Sequence, residues 1–140
     1  KLESIMFAHV GGTKVKLIDF ALATEWDGLS EMHLACGTSE FSSPEMLSGG
    51  YTEKTDMWSI GVIAYMLLTG EPLYRGPAWD IHAQAKAGNP RLREQLYECS
   101  TAAQKFVASL LVRNPERRPS AEEALSCPWF SCAALADPEA

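Results

Sequence analysis

The 140 residues are 46% hydrophobic and 21% charged, a balance that excludes a disordered chain and leaves room for one domain with one modest core. A formal charge of -6 argues against a sequence-independent grip on nucleic acid phosphates and suits a basic protein or peptide partner better. The longest apolar run, Ile60 to Leu68, falls short of the roughly 20 residues of a membrane span, so it reads as a buried helix and no membrane partner is expected.

No signal-peptide pattern opens the chain. Cys36, Cys99, Cys127 and Cys132 lack paired metal-ligand spacing and read as reduced thiols of a cytoplasmic protein. His9, His33 and His82 are scattered, which gives a zinc site little support. The chain opens on Lys1 rather than methionine and reads as processed or as a piece of a longer one.

In chain order, the segments 4–7 and 14–18 flank a loop holding Gly11 and Gly12, and their alternation predicts an antiparallel hairpin. From Ala21 to Ser42 no period holds, which predicts a loop of about twenty residues, a length often tied to function. Ser43, Pro44 and Glu45 have the order of an N-cap, a first helical position and an acidic first turn, so a short helix is expected there.

The stretch from Lys54 to Thr69 is apolar on nearly every face, the mark of a helix in mid-core, and Gly70 ends it. Ala78 to Ala87 reads as an amphipathic helix closed by Gly88. Another helix starts on Ser100, with Phe106, Val107, Leu110 and Leu111 as its apolar stripe. Ser120 and Glu123 form a capping box ahead of a last helix that Pro128 stops, with Trp129 and Phe130 folding back onto the core. Residues 131–140 read as a disordered tail. Trp58, Trp79 and Trp129 are assigned to the core, and Trp26 to the long loop.

An aspartate delivered by a short strand, as Asp19 is by Leu17 and Ile18, suits a carboxylate held out to a metal ion, although such a residue alone is more often a turn former. Order changes that reading. Asp19-Phe20-Ala21 is followed by CGTSEFSSPEML, then by DMWSIGVIAYMLLTGEPLY, then by NPERRPSAEEALSCPWF. The series resembles the second half of the large, C-terminal lobe of eukaryotic protein kinases over residues 1–130. The D-F-G motif appears as Asp19-Phe20-Ala21, A-P-E as Ser43-Pro44-Glu45, and D-x-W-S-x-G as Asp56 to Gly61. The segment from Gly37 to Glu45 is similar to the calcium/calmodulin-dependent group, nearest its myosin-light-chain, death-associated and titin-type members.

The resemblance implies a mainly α fold, a C-lobe portion with one short hairpin and no N-lobe. It implies a Ser/Thr protein kinase that uses ATP and Mg²⁺ on a protein substrate, with a regulatory protein as a further partner. Asp19 then takes the metal-binding role, a hard-oxygen position suited to Mg²⁺. Lys1 takes the place of the catalytic-loop lysine, and the catalytic aspartate is expected two residues ahead of it. Ser4 stands where the family has a metal-binding asparagine. Thr38 matches the threonine of the substrate-docking loop, whose hydroxyl bonds the catalytic aspartate and lysine. Glu45 and Arg118 match the pair tying that loop to the base of the lobe, and Asp56 the acceptor for catalytic-loop amides. Phe20 is expected to pack inward and aim Asp19. Ala21, in place of the motif's glycine, narrows the backbone's choices. Thr24, Ser30 and Ser39 are candidate phosphorylation sites in the long loop.

Ala21 and Ser4 keep open a second reading, a pseudokinase or docking module that presents the loop and the 78–88 helix to partners. The glycine-rich phosphate loop, its partner lysine and the catalytic aspartate are not among these 140 residues. The fragment alone is therefore expected to be inactive and not to fold stably, one side of the long apolar helix being left uncovered.

Overall fold

The computed structural model describes residues 1–133. Its elements in order are a 3₁₀ turn (Leu2–Ser4), strands β1 (Ile5–Phe7) and β2 (Val15–Leu17), and helices α1 (Lys54–Thr69), α2 (Ala78–Ala87), α3 (Glu94–Tyr97), α4 (Thr101–Leu110), α5 (Ala121–Leu125) and α6 (Pro128–Ala133), with a second 3₁₀ turn at Pro115–Arg117. The described residues are mainly helical with one two-stranded antiparallel sheet, as their pattern implies. Among the described residues no helix is long and apolar enough to cross a membrane.

The core is built around α1. Trp58, Val62 and Tyr65 on that helix are buried, and α4 meets them with Phe106, Val107 and Leu110, the stripe expected from its spacing. Full burial of each large apolar side chain contributes roughly 1.5–3 kcal/mol, so this contact dominates the stability of the fold. Gly61 lets the two helices approach: a β-carbon there would stand 2.8 Å from Leu110 Cβ and 3.0 Å from Leu111 Cδ2. Gly70 closes α1 in the left-handed conformation at φ 68°. The side of α1 that carries Asp56, Ile60 and Leu67 faces solvent, so the helix is apolar all round but covered only in part.

Caps fall where the side chains allow them. Ser100 Oγ accepts from Ala103 N at the start of α4, and both arms of the Ser120–Glu123 capping box are present on α5. Pro128 separates α5 from α6, and Trp129 and Phe130 return to the core on Phe106, with ring centroids 5.0 and 5.1 Å from it. Residues 131–133 are placed in α6, and the remainder of the stretch read as a tail, 134–140, lies outside the described residues.

Three further expectations are corrected. The segment after Ser43 makes consecutive turns rather than a helix: Ser43 Oγ does accept from Met46 N at 3.3 Å, but the bonds that follow alternate between four-residue and three-residue spans and Gly49 ends them at φ 126°. Trp79 is 74% exposed, because α2 buries only Ala85 and rides on the surface. Phe20 is 67% exposed rather than packed inward, because the hairpin that delivers it carries no buried residue on either strand.

Candidate functional site

The hairpin pairs Ile5 with Leu17, Met6 with Lys16 and Phe7 with Val15. The pairing continues one step further, where Ile18 N donates to Ser4 O at 2.9 Å, so Ser4 lies across from the residue before Asp19. Asp19 ends the ribbon at φ +65°, the one non-glycine residue with positive φ among those described. Aspartate tolerates that left-handed geometry better than most residues. There its carboxylate meets Lys1, with Oδ2 2.9 Å from Nζ and both side chains partly exposed.

The hydrogen bond and charge of Lys1 hold the Asp19 carboxyl below its ordinary value, and the same contact raises the Lys1 ammonium. Asp19 is thus kept anionic and Lys1 cationic. Ala21, by contrast, has a negative φ, so the β-carbon that replaces the motif's glycine is accommodated without strain. Ala23 N closes a turn onto Phe20 O at 3.0 Å immediately after.

The long loop is irregular but not without internal order. Asp27 Oδ1 accepts from Leu29 N and Ser30 N, and Oδ2 from Ser30 Oγ at 2.6 Å; these bonds, the Ser30 hydroxyl first, pull its pKa down to about 2. Half-buried Trp26 donates through Nε1 to Ser30 O at 2.7 Å. Of the candidate modification sites, Ser30 is engaged in this turn, Ser39 Oγ lies 3.4 Å from His82 Nδ1, and Thr24 donates at 3.5 Å to Glu25 O.

Further on, Met32 and Tyr51 bridge antiparallel, and the Tyr51 hydroxyl donates to Leu34 O at 2.8 Å, pinning the end of the loop to the residues before α1. Thr38 is exposed, and its carbonyl accepts from Phe41 N at 3.0 Å and from Ser42 Oγ at 3.1 Å. No hydrogen bond joins Thr38 to Lys1 or Asp19 among the described residues.

Glu45 and Arg118 are brought together as a fork-to-fork pair, Nη1 to Oε1 at 2.7 Å and Nη2 to Oε2 at 2.9 Å. Arg118 is 1% exposed and spends its other donors on Val112 O, Lys54 O and Arg113 O, with its guanidinium 5.2 Å from the centroid of a Trp58 ring. Lys54 Nζ returns a bond to Arg118 O at 2.7 Å. Asp56, at the start of α1, is solvent-exposed as a residue, yet the protein around its carboxyl desolvates it enough to raise its pKa, with Glu53 adding to the effect.

Two fasteners were not visible as site features in the sequence. Ser43 Oγ meets Thr55 Oγ1 at 2.8 Å, and Ser59 Oγ donates to Phe41 O at 2.8 Å, so α1 grips the 41–45 segment from beneath. Hydroxyls in an apolar helix were the only signal available. Two tied corners result: a charged one at the end of the hairpin, and a buried one that fixes Glu45 to the helical base.

The family model of the protein kinase domain matches residues 1–130. The chain is 37% identical over 134 residues to myosin light chain kinase 2, skeletal/cardiac muscle, of Mus musculus, covering 94% of this chain and 22% of that protein. It is 36% identical to calcium/calmodulin-dependent protein kinase type II of Caenorhabditis briggsae, over 93% of this chain and 25% of the relative. Among solved structures, the twitchin kinase region of C. elegans superposes with a TM-score of 0.82 at 31% identity, covering 91% of this chain and 23% of that one. Titin kinase with its flanking domains follows at 0.81 and 28%. The chain spans about a quarter of the length of these proteins. It belongs to the protein kinase family, as part of a kinase domain with the helical build of the C-terminal lobe.

Proposed function

We propose that these residues form the C-terminal-lobe share of a Ser/Thr protein kinase that transfers the γ-phosphate of ATP to a protein substrate. The observation that carries this reading is the 2.9 Å contact between Lys1 and Asp19, the positions that the resemblance gives to the catalytic-loop lysine and the metal-binding aspartate, which meet at the open end of the hairpin. Asp19 offers a hard, ionised oxygen on an exposed strand end, a donor suited to Mg²⁺, and Ser4 offers a neutral hydroxyl from the neighbouring strand register. Asp19 and Ser4 are thus the residues that would hold the ion. When bound with ATP, Mg²⁺ neutralises charge on the phosphate oxygens.

The chain's own part is positional. Lys1 supplies a cation beside Asp19, Thr38 stands in the segment that would receive the substrate, and the Glu45–Arg118 fork keeps that segment on α1. A pseudokinase or docking module is the second reading, and Ser4 favours it, since its short neutral arm replaces an amide oxygen. Measuring Mg·ATP binding to the full-length protein with and without Asp19→Ala decides the metal role. A clear loss of affinity is expected; an unchanged affinity would count against Asp19 as a ligand.

On their own the 140 residues are proposed to be inactive and poorly folded. The hairpin exposes Phe7, Leu17 and Phe20, and α1 exposes Ile60 and Leu67, a spread of apolar surface that a stable monomer covers. A cooperative thermal transition in the purified monomeric fragment would refute the folding half.

A further inference from the structure

A cavity of about 860 Å³ lies between residues 73–75, the end of α2 and the irregular 89–93 segment leading into α3, within the size range of ligand sites. Its floor is apolar: Leu73 and Tyr74 are buried and Leu92 is half-buried. Three arginines, Arg75, Arg91 and Arg93, line it against one carboxylate, Glu94, a local positive excess on a chain whose formal charge is -6. Arg75 is taken up by an ion pair with Glu71, while Arg91 and Arg93 have no ion pair among the described residues. Gln84 Nε2 donates to Arg75 O at 2.9 Å and holds the wall to α2. Tyr74 contributes its ring to this floor, its hydroxyl being buried beneath the surface.

We propose that this cleft binds an acidic peptide segment with a central apolar side chain, presented by a protein partner. Guanidinium groups pair with carboxylates in a planar, two-pronged fashion, and the Leu73–Leu92 floor accepts the apolar residue between them. A nucleic acid fits less well, because the cleft is a short recess with apolar residues on its floor and two unpaired arginines, not a basic stripe that tracks successive phosphates. The cleft is also mechanically joined to the segment that carries Thr38 and Glu45. His82 of α2 touches Ser39, and Gly88 packs so closely on Pro44 that a β-carbon would stand 2.5 Å from Pro44 Cγ. A peptide held here therefore lies on elements that abut the 38–45 segment. Binding at this cleft does not depend on phosphoryl transfer, so its test is separate.

The probe is a fluorescein-labelled Glu-Glu-Leu-Glu-Glu peptide, titrated with the full-length protein by fluorescence anisotropy. Saturable binding is expected, weakening with added salt and falling about tenfold or more in Arg91→Glu/Arg93→Glu. Lys14→Glu, an exposed charge beside β2 and outside the cavity lining, should leave it unchanged. Circular dichroism checks that the double variant is folded, and Arg91→Gln/Arg93→Gln replaces it if it is not. No binding, equal binding by the arginine variants, or preference for oligouridylate or a Lys-Lys-Leu-Lys-Lys peptide would overturn the proposal.

Discussion

Replacing Arg118 by alanine strips five hydrogen bonds from one buried point: two to Glu45, and one each to the carbonyls of Val112, Lys54 and Arg113. It also leaves the Glu45 carboxylate, only 11% exposed as a side chain, without its counter-ion. Removing one partner of a buried pair costs about 3–5 kcal/mol, and here the orphaned carbonyls place the loss toward the upper end. Arg118→Lys keeps the charge but not the fork, and cannot reach both Glu45 oxygens and Val112 O at once, so about 2 kcal/mol should be lost. The assay is urea unfolding of the full-length protein, reading the midpoint at constant m-value, for both Arg118 variants, Glu45→Gln and the Glu45→Gln/Arg118→Ala double variant. The two residues should couple by more than about 1 kcal/mol in that cycle. A loss below about 1 kcal/mol for Arg118→Ala, or strict additivity, would show that the fork does not anchor the 41–45 segment.

Gly61→Ala should destabilise by about 1–3 kcal/mol through overpacking of α1 on α4, seen as a lowered Tm, since the new β-carbon meets backbone-proximal atoms of Leu110 at 2.8 Å. Ser120→Ala removes the bond to Glu123 N and half the capping box, and should lower stability by about 1 kcal/mol in the same unfolding assay. The Asp19 carboxyl, held down by Lys1, should titrate below the ordinary aspartate range in carboxyl-resolved NMR and move up in Lys1→Met. The sign follows: a depressed folded pKa means that the pair's contribution is complete above the ordinary aspartate range and is lost as pH falls through the depressed value.

How far the fold could be read from sequence depended on whether neighbours in the chain are also neighbours in space. Helices α1, α2, α4 and α5 announce themselves through period, cap and terminating glycine, all local signals. The four-residue α3 does not: its one buried residue, Leu96, is placed by packing against α1 and α4, which no local pattern encodes. The same limit explains Trp79. Aromatic size argues for burial, but burial needs a partner surface, and α2 turns Ile81 and Ala85 toward the protein and Trp79 away from it. At 43–49 the cap chemistry was read correctly. What failed was propagation, because Gly49 and Gly50 follow the first turn at once and the Ser43 hydroxyl is shared with Thr55.

The candidate site divides along the same line. The family resemblance, and no local pattern, paired Glu45 with Arg118, 73 residues apart, and the structure joins them as a planar fork. The resemblance was not enough to orient Asp19-Phe20-Ala21. There the expectation put burial on Phe20 and the backbone consequence on Ala21, whereas Phe20 is exposed and the left-handed φ belongs to Asp19 itself. The carboxylate is therefore aimed by its own backbone, by the Ile18–Ser4 bond one residue earlier, and by the attraction of Lys1, with no contribution from a buried aromatic anchor. That difference has a mechanical consequence. A motif aimed by a packed side chain switches when that side chain repacks, but one aimed by a ribbon end and an exposed ion pair responds to charge instead. On this structure the exposed Lys1–Asp19 pair is the contact through which charge reaches the motif, since Phe20 has no buried packing to rearrange.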